Sequence, residues 1–313
     1  MKRAAVFAHY DKDNIIDDYV IYYLKNLKKL CEKVIFVSDG TPSEFELQKL
    51  DNIADYTIAE PHKEYDFGSY KRGFFYLKEN NLLNNIDSLI FANDSCYAPL
   101  SPFENVFEVM EKETCDFWGI TKNKHGIKKC GNKFFYCKCE HIQSYFLVLN
   151  SNVFNSDLFS EFMGNVKHEE FKKDIIINYE IGLSEFLISN GFKSGFYIKE
   201  FLNEKNSTIL KWRQLTKKSP FIKCSLLRQF NYHYTVADDW EKVLRKNTNY
   251  PIELIKKNLE RTINKKCQNR NLPVWLKRLL LWINTRILPH KIRHIRSEVI
   301  EKLFKSLVVL KKQ

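Results

Sequence analysis

Short apolar runs alternate with amphipathic segments along the first two thirds of the chain. Runs of this length, rich in Val, Ile, Phe and Tyr, are typical of buried strands, whereas the segments between them repeat their apolar residues at helical spacing. This alternation predicts an α/β fold with a mainly parallel sheet flanked by helices. The predicted strands are residues 4–10, 33–40, 55–60, 88–94, 116–121, 144–150 and 196–201, and helical patterns run through 15–30, 69–80, 102–112 and 179–190.

The residues that follow these strands are unusually polar. In mainly parallel sheets the ligand site lies beyond the carboxyl ends of the strands, so these residues are expected to converge. Acids, glycines and cations together suit a nucleoside diphosphate, although each one alone also suits a turn or a helix cap. The candidate residues are His9, Tyr10, Asp39, Asp66, Gly68, Lys71, Arg72, Asn93, Asp94 and Ser95.

Composition predicts a folded globular protein. The chain has 313 residues, of which 44% are hydrophobic, and this is enough apolar content for one sizeable core. No apolar run is long enough to span a bilayer, and the N-terminal run is too short for a signal peptide. The eight cysteines form no dense regular framework. We therefore expect reduced thiols and a cytoplasmic protein.

The positive charge is concentrated near the C-terminus. The net charge is +12, and residues 270–313 carry eleven Lys or Arg against two acids. The first 269 residues are therefore nearly balanced, which argues against a nucleic-acid partner. We predict a catalytic domain at 1–215, a helical C-terminal subdomain at 216–269 and a basic amphipathic tail at 270–313.

The tail contains two apolar helical stripes flanked by Lys and Arg, separated at Pro289. Each stripe is too short and too charged to cross a bilayer, but it suits the interface of an anionic membrane. The alternative is that the stripes pack on the catalytic domain or on a second subunit in a homodimer. The first interpretation predicts a peripheral protein at the inner face of the bacterial cell membrane.

Four segments resemble a known family. The stretches "YDFGSYKRG" (65–73), "LIFANDSCYAPLSPFENVF" (89–107), "DFWGIT" (116–121) and "HIQSYFLVLN" (141–150) resemble the rhamnan synthesis F family of bacterial glycosyltransferases. The likeness covers roughly residues 1–260. It implies a GT-A-like fold, a dTDP-, UDP- or GDP-linked sugar as donor, and a polysaccharide or lipid-linked oligosaccharide as acceptor.

The resemblance implies roles for several of the strand-end residues. Asp66 and Gly68 would approach the nucleotide sugar, and Lys71 or Arg72 would balance its diphosphate. The alternative is that both cations are solvated residues in the first turn of the following helix, where positive charge is mildly unfavourable.

Asp94 matches the position of an acidic motif, usually Asp-x-Asp, that holds a divalent cation between the phosphates. The sequence here is Asn93-Asp94-Ser95, with one carboxylate instead of two. One carboxylate with phosphate oxygens and waters is sufficient for Mg²⁺ or Mn²⁺, but it does not require a metal. Lys71 or Arg72 could instead neutralise the leaving group.

Inverting sugar transfer needs a carboxylate beside the acceptor hydroxyl. The segment "NYEIGLSEFLISNGF" (178–192) resembles the acidic segment that carries the general base in inverting GT-A enzymes, so Glu180 is our candidate. Glu185 is the competing acid. The structural alternative for Glu180 is an ordinary acid in a first helical turn.

Two further groups carry weaker signals. Cys130, Cys137, Cys139 and His141 could bind zinc, but the spacing lacks a paired C-x2-C knuckle. The resemblance in "HIQSYF" (141–146) implies instead a role beside the donor sugar or acceptor for His141, Gln143 and Ser144. For His141 the alternative is a structural hydrogen bond. His233, further along the chain, is a candidate metal ligand.

Two other function classes are the alternatives to a glycosyltransferase. They are a nucleotidyltransferase and a non-catalytic membrane scaffold.

Overall fold

The computed structural model describes residues 1–131, 133–202, 206–228 and 237–263. Within these residues the chain alternates strands and helices as the hydrophobic pattern predicts. The strands are β1 (Arg3–His9), β2 (Lys33–Ser38), β3 (Tyr56–Ala59), β4 (Ser88–Asn93), β5 (Cys96–Tyr97), β6 (Phe117–Gly119), β7 (Lys122–Cys130), β8 (Lys133–Ile142), β9 (Phe146–Asn150), β10 (Ser194–Phe196) and β11 (Ile222–Lys223).

The helices flank the sheet and continue into the C-terminal region. They are α1 (Asp18–Lys28), α2 (Glu44–Gln48), α3 (Tyr65–Glu79), α4 (Glu104–Met110), α5 (Ser151–Phe154), α6 (Asp157–Gly164), α7 (Lys172–Ile175), α8 (Gly182–Ser189), α9 (Ser207–Leu210), α10 (Trp212–Leu215), α11 (Cys224–Arg228), α12 (Trp240–Asn247) and α13 (Ile252–Thr262), with a π-helix at Ile176–Ile181. Among the described residues, no helix combines the length and the apolar content needed to cross a bilayer.

The central sheet has the strand order β10-β6-β9-β4-β1-β2-β3. Strand β9 runs antiparallel to both of its neighbours, and the other described pairings in this sheet are parallel. Two small sheets, β11-β5 and β7-β8, lie beside it. The predicted α/β fold with a mainly parallel sheet and flanking helices is therefore confirmed.

Both faces of the central strands are buried. Alternate residues of β1 enter different core layers, with Phe7 on one face and Val6 on the other. Phe7 packs edge-on against Tyr23 of α1, whereas α3 covers the Val6 face. This two-sided burial explains why β1 reads as a continuous apolar run and not as an alternating one.

Gly73 allows α3 to approach β1 closely. A Cβ at this position would lie 2.3 Å from Val6 Cγ1. We expect Gly73→Ala to lower the free energy of unfolding, because overpacking a buried contact costs about 1–3 kcal/mol and exceeds the helix propensity gained, about 1 kcal/mol. Gly164→Ala is the matched control, since the nearest atom there is 4.0 Å away. Urea unfolding of both variants tests this prediction. Equal free energies of unfolding for Gly73→Ala and Gly164→Ala would contradict it.

The strand predicted at 196–201 is shorter and begins earlier, at Ser194–Phe196. Tyr197 and Ile198 still donate backbone hydrogen bonds to the carbonyls of Gly119 and Ile120. Strand β6 ends at Gly119, so later residues have no strand to pair with. Phe201 then has a φ of 61°, which turns the chain away from the sheet.

The C-terminal helix α13 is tied to the loop that follows β1. The guanidinium of Arg261 donates to the carboxylates of Asp11, Asp13 and Asp17. Asn258 of the same helix donates to Asp17 at 2.5 Å. The end of the described chain thus holds the segment that leaves the first strand.

Candidate functional site

His9 and Asp94 meet at the carboxyl ends of β1 and β4, which are parallel neighbours. Asp94 Oδ2 accepts a hydrogen bond from the backbone N–H of Tyr10 at 3.0 Å and lies 3.8 Å from His9 Nε2. Burial lowers the pKa of His9 to about 4, so its imidazole is neutral near pH 7. The side chain of Tyr10 is largely exposed beside this pair.

A second carboxylate reaches the same place from helix α3. Asn93 Nδ2 donates to Asp66 Oδ2 at 2.9 Å. The amide oxygen of Asn93 accepts from the Ser95 hydroxyl at 2.5 Å and from its backbone N–H at 3.1 Å. Asn93 therefore orients Asp66 on one side and Ser95 on the other, next to Asp94.

Both carboxyl groups have raised pKa values. Burial, followed by the neighbouring charge of Asp94, raises the pKa of Asp66 to about 7. Burial also raises the pKa of Asp94 to about 7, against the hydrogen bond from Tyr10 and the charge of Arg228. Desolvated acids of like charge favour a proton or a cation between them.

The donor set at this position suits a divalent cation held jointly with phosphate. Mg²⁺ is usually bound by one or two carboxylates together with phosphate oxygens and waters, and Asp66 and Asp94 supply two. In residues 1–131, 133–202, 206–228 and 237–263 there is no group of three or more His, Cys, Asp or Glu side chains that could hold a metal by itself. Metal binding by Asp94 stays a prediction.

Glu180 lies in the π-helix and is held by two side chains. Ser144 Oγ donates to Glu180 Oε2 at 3.1 Å, and His141 Nε2 lies 3.6 Å from Oε1. His141 Nδ1 lies 3.0 Å from the carbonyl oxygen of Cys139, which fixes the orientation of the ring. Short π-helices are frequent at functional sites.

The pKa values of this pair move in opposite directions. Burial alone would lower the pKa of His141, but the hydrogen bond and the charge of Glu180 raise it overall. Burial alone would raise the pKa of Glu180, but His141 and then Lys223 and Ser144 lower it. Glu180 is therefore ionised at neutral pH, in contrast to the two raised aspartates.

These two clusters belong to one site. Tyr70, one turn after Asp66 in α3, donates to the carbonyl of Ser144 at 3.1 Å, and the Ser144 hydroxyl in turn donates to Glu180. The charges of Asp94 and Glu180 also both raise the pKa of Asp66. The structure thus brings together His9, Asp66, Asn93, Asp94, Ser95, His141 and Glu180 from the predicted set.

Lys71 and Arg72 point to protein groups. Helix α3 begins at Tyr65, four residues before the predicted pattern, so both cations lie well inside it. Lys71 Nζ donates to the carbonyls of Gly164 and Val166, and Arg72 pairs with Glu60 and Glu64. Neither side chain contacts the carboxylate cluster. Their role at the diphosphate stays a prediction.

Asp39 and Gly68 shape the segment that leads into α3. Asp39 Oδ1 accepts from the backbone N–H groups of His62 and Lys63, at 2.7 and 2.9 Å. A Cβ on Gly68 would lie 2.3 Å from Glu64 Cβ and 2.7 Å from His62 Nδ1. The residues before α3 therefore pack closely against this helix at Gly68, which has no side chain to hinder them.

The cysteine group does not gather into a metal site within the described residues. Cys130 is exposed, whereas Cys137 and Cys139 lie with their sulfurs 2.9 Å apart. Both ring nitrogens of His141 already face Glu180 and the Cys139 carbonyl. His233 and the tail at 270–313 lie outside the described residues.

Sequence reasoning missed two cations near the site. Lys223 and Arg228 carried no signal in the short stretch "FIKCSLLR" (221–228). Arg228 bonds Tyr19 and Asn258, and its charge lowers the pKa of Asp94. A search for cations near the strand ends could not find them, since they come from the C-terminal region.

Comparison with known proteins gives a family match over most of the chain. The model of the rhamnan synthesis protein F family matches residues 34–309. The virulence protein VirA of Vibrio anguillarum is 27% identical over 263 residues, which cover 72% of this chain and 80% of VirA.

Similar solved structures include enzymes from a fungus and a bacterium. Core-mannan synthase A from Aspergillus fumigatus, in its Mn/GDP form, has a TM-score of 0.38 and 11% identity, covering 62% of this chain and 72% of that chain. The 4-diphosphocytidyl-2C-methyl-D-erythritol synthase from Anaerococcus prevotii has a TM-score of 0.41 and 12% identity, covering 66% and 92%.

Proposed function

Because the chain belongs to the rhamnan synthesis protein F family, we propose that it is a glycosyltransferase. It moves rhamnose or another hexosyl unit from a nucleotide-sugar donor to a growing, lipid-linked cell-surface polysaccharide. The observation that carries this proposal is the placement of the acids in two differently built positions. Asp66 is hydrogen-bonded to Asn93, the residue before Asp94, whereas Glu180 is held by Ser144 and His141. The pKa values agree with this division, since those of Asp66 and Asp94 are raised to about 7 and that of Glu180 is lowered.

The aspartate pair suits the donor side of the reaction. A divalent cation held between these carboxylates and the diphosphate would stabilise negative charge on the departing nucleoside diphosphate. Asn93 and Ser95 orient the pair through hydrogen bonds. Tyr10, whose backbone N–H donates to Asp94, has a largely exposed ring that can stack on a nucleobase or a sugar.

Glu180 suits the acceptor side. As the bond between the sugar C1 and the phosphate oxygen breaks, a new C1–O bond forms to the acceptor hydroxyl, and the hydroxyl proton passes to Glu180. Attack from the side opposite the leaving group inverts the configuration at C1. Ser144 and His141 hold the carboxylate in its ionised form and in a fixed orientation. Both act as positioning residues.

The acceptor and the location form part of the same proposal. A lipid-linked acceptor places the reaction at the inner face of the cell membrane. The basic tail at 270–313 supports contact with anionic lipids there, because Lys and Arg beside apolar helical stripes are attracted to such surfaces.

The nature of the released product tests the function. We expect one of the dTDP-, UDP- or GDP-linked sugars, with Mg²⁺ or Mn²⁺ present, to raise the unfolding temperature. Ligand at 100 times its Kd adds about 2.7 kcal/mol of stability. Incubation with a lipid-linked acceptor should then release a nucleoside diphosphate. Release of pyrophosphate would instead support a nucleotidyltransferase, and neither binding nor turnover would support a scaffold.

A further inference from the structure

Strand β11 brings a cation from the C-terminal region to the carboxylate cluster. It pairs antiparallel with β5, which follows directly after Asp94 and Ser95, and Lys223 lies opposite Cys96. The next residue, Cys224, donates its backbone N–H to the Ser95 carbonyl at 2.9 Å. Backbone hydrogen bonds therefore fix Lys223 relative to Asp94.

The Lys223 side chain points toward the site. Its Nζ donates to Ser95 Oγ at 3.3 Å and lies 4.0 Å from the centre of the Tyr145 ring. Within the described part of the chain it forms no ion pair with a carboxylate. An ammonium group has three N–H donors, so one remains after the hydrogen bonds to Ser95 and to the Cys96 thiol.

The positive charge of Lys223 affects the pKa values of two acids, Asp66 and Glu180. It lowers the pKa of Asp66, where burial is the largest effect, and it contributes to the lowered pKa of Glu180. Lys71 and Arg72 differ in this respect, because carbonyl oxygens and glutamates of the protein already occupy their donors. Lys223 is the better placed cation for an anion beside Asp94.

We propose that Lys223 binds the diphosphate of the nucleotide sugar and neutralises the leaving phosphate. This inference rests on the proposed function and adds a residue to it. A cation with an unused donor, beside two carboxylates suited to a divalent ion, suits an anion that carries its own metal. The C-terminal region then contributes directly to donor binding.

The experiment compares nucleoside diphosphates with their nucleosides. Isothermal titration of the full chain with GDP, UDP and dTDP, with Mg²⁺ present, first identifies the nucleotide that binds. The Lys223→Met variant should bind that diphosphate about tenfold or more weakly, since a charge-assisted hydrogen bond is lost. Affinity for the matching nucleoside should not change. Lys223→Arg should restore part of the loss.

Lys217→Met is the matched control, because Lys217 is exposed in the same region and the substitution changes the charge equally. Equal diphosphate affinity in Lys223→Met and in Lys217→Met overturns the inference while leaving the proposed function intact. Parallel weakening of nucleoside and diphosphate also overturns it, because the lysine would then be structural. If wild-type protein binds none of the three diphosphates, the proposed function fails first. If the Lys223→Met variant does not fold, Lys223→Gln provides the same test.

Discussion

The Glu180→Gln variant is expected to transfer sugar about 10²–10⁴ times more slowly than the wild type while it still binds the donor. Glutamine keeps the shape of the side chain and an oxygen that can accept the hydrogen bond from Ser144. It cannot accept a proton from the acceptor hydroxyl at neutral pH. Single-turnover rates with saturating donor measure the chemical step, and calorimetry measures donor affinity.

Glu185→Gln is the control for this prediction. Glu185 lies on the next turn, is exposed, and is 3.8 Å from Lys128. We expect its removal to leave the rate nearly unchanged. A Glu180→Gln variant that loses donor affinity but keeps its chemical rate would show that Glu180 acts in binding and not as the general base.

The Asp94→Asn variant should be folded and almost inactive. The change removes one of the two carboxylates suited to a divalent cation, and Asn can still accept the hydrogen bond from Tyr10. Burial raises the pKa of Asp94 to about 7, which means that its ionised form is unfavourable in the ligand-free protein. The unfolding temperature without ligand should therefore not fall. Donor binding should also lose most of its dependence on Mg²⁺ or Mn²⁺.

An exposed aspartate provides the comparison. Asp51→Asn makes the same chemical change away from the site and should transfer sugar at the wild-type rate. Turnover of Asp94→Asn close to that of Asp51→Asn would remove Asp94 from the reaction.

The strands and the donor-side acids could be predicted because both depend on local pattern and on parallel pairing. Apolar runs give the strands, and the register of β1 with β4 then places His9 beside Asp94. The start of α3 could not be read in this way. Lys63 and Tyr65 adopt φ values of 59° and 57°, which are unusual for such side chains and leave no clear sequence signal.

The contacts of Lys71 and Arg72 could not be predicted from the sequence for a physical reason. Lys71 and Arg72 follow a strand closely, and a sequence search weighs nearby residues most. Their partners at Glu60, Glu64 and the end of α6 become apparent only in three dimensions. Lys223 lies 128 residues after Ser95, and only the pairing of β11 with β5 brings the two together.

Glu180 was proposed as the general base from resemblance, but its surroundings could not be predicted. Nothing in the helical pattern of 179–190 indicates a π-helix at Ile176–Ile181. The contacts of Glu180 with His141 and Ser144 cross between separate elements. Burial and neighbouring charge set the pKa of Glu180, and both depend on the complete fold.

The attachment of α13 to the loop after β1 limits how this enzyme can be divided into fragments. A fragment that ends at residue 215 would leave the three acids bound by Arg261 without their guanidinium. It would also lose the strand that carries Lys223. Experiments on an isolated catalytic fragment should therefore retain the chain through Ile263, and tail deletions should begin beyond it.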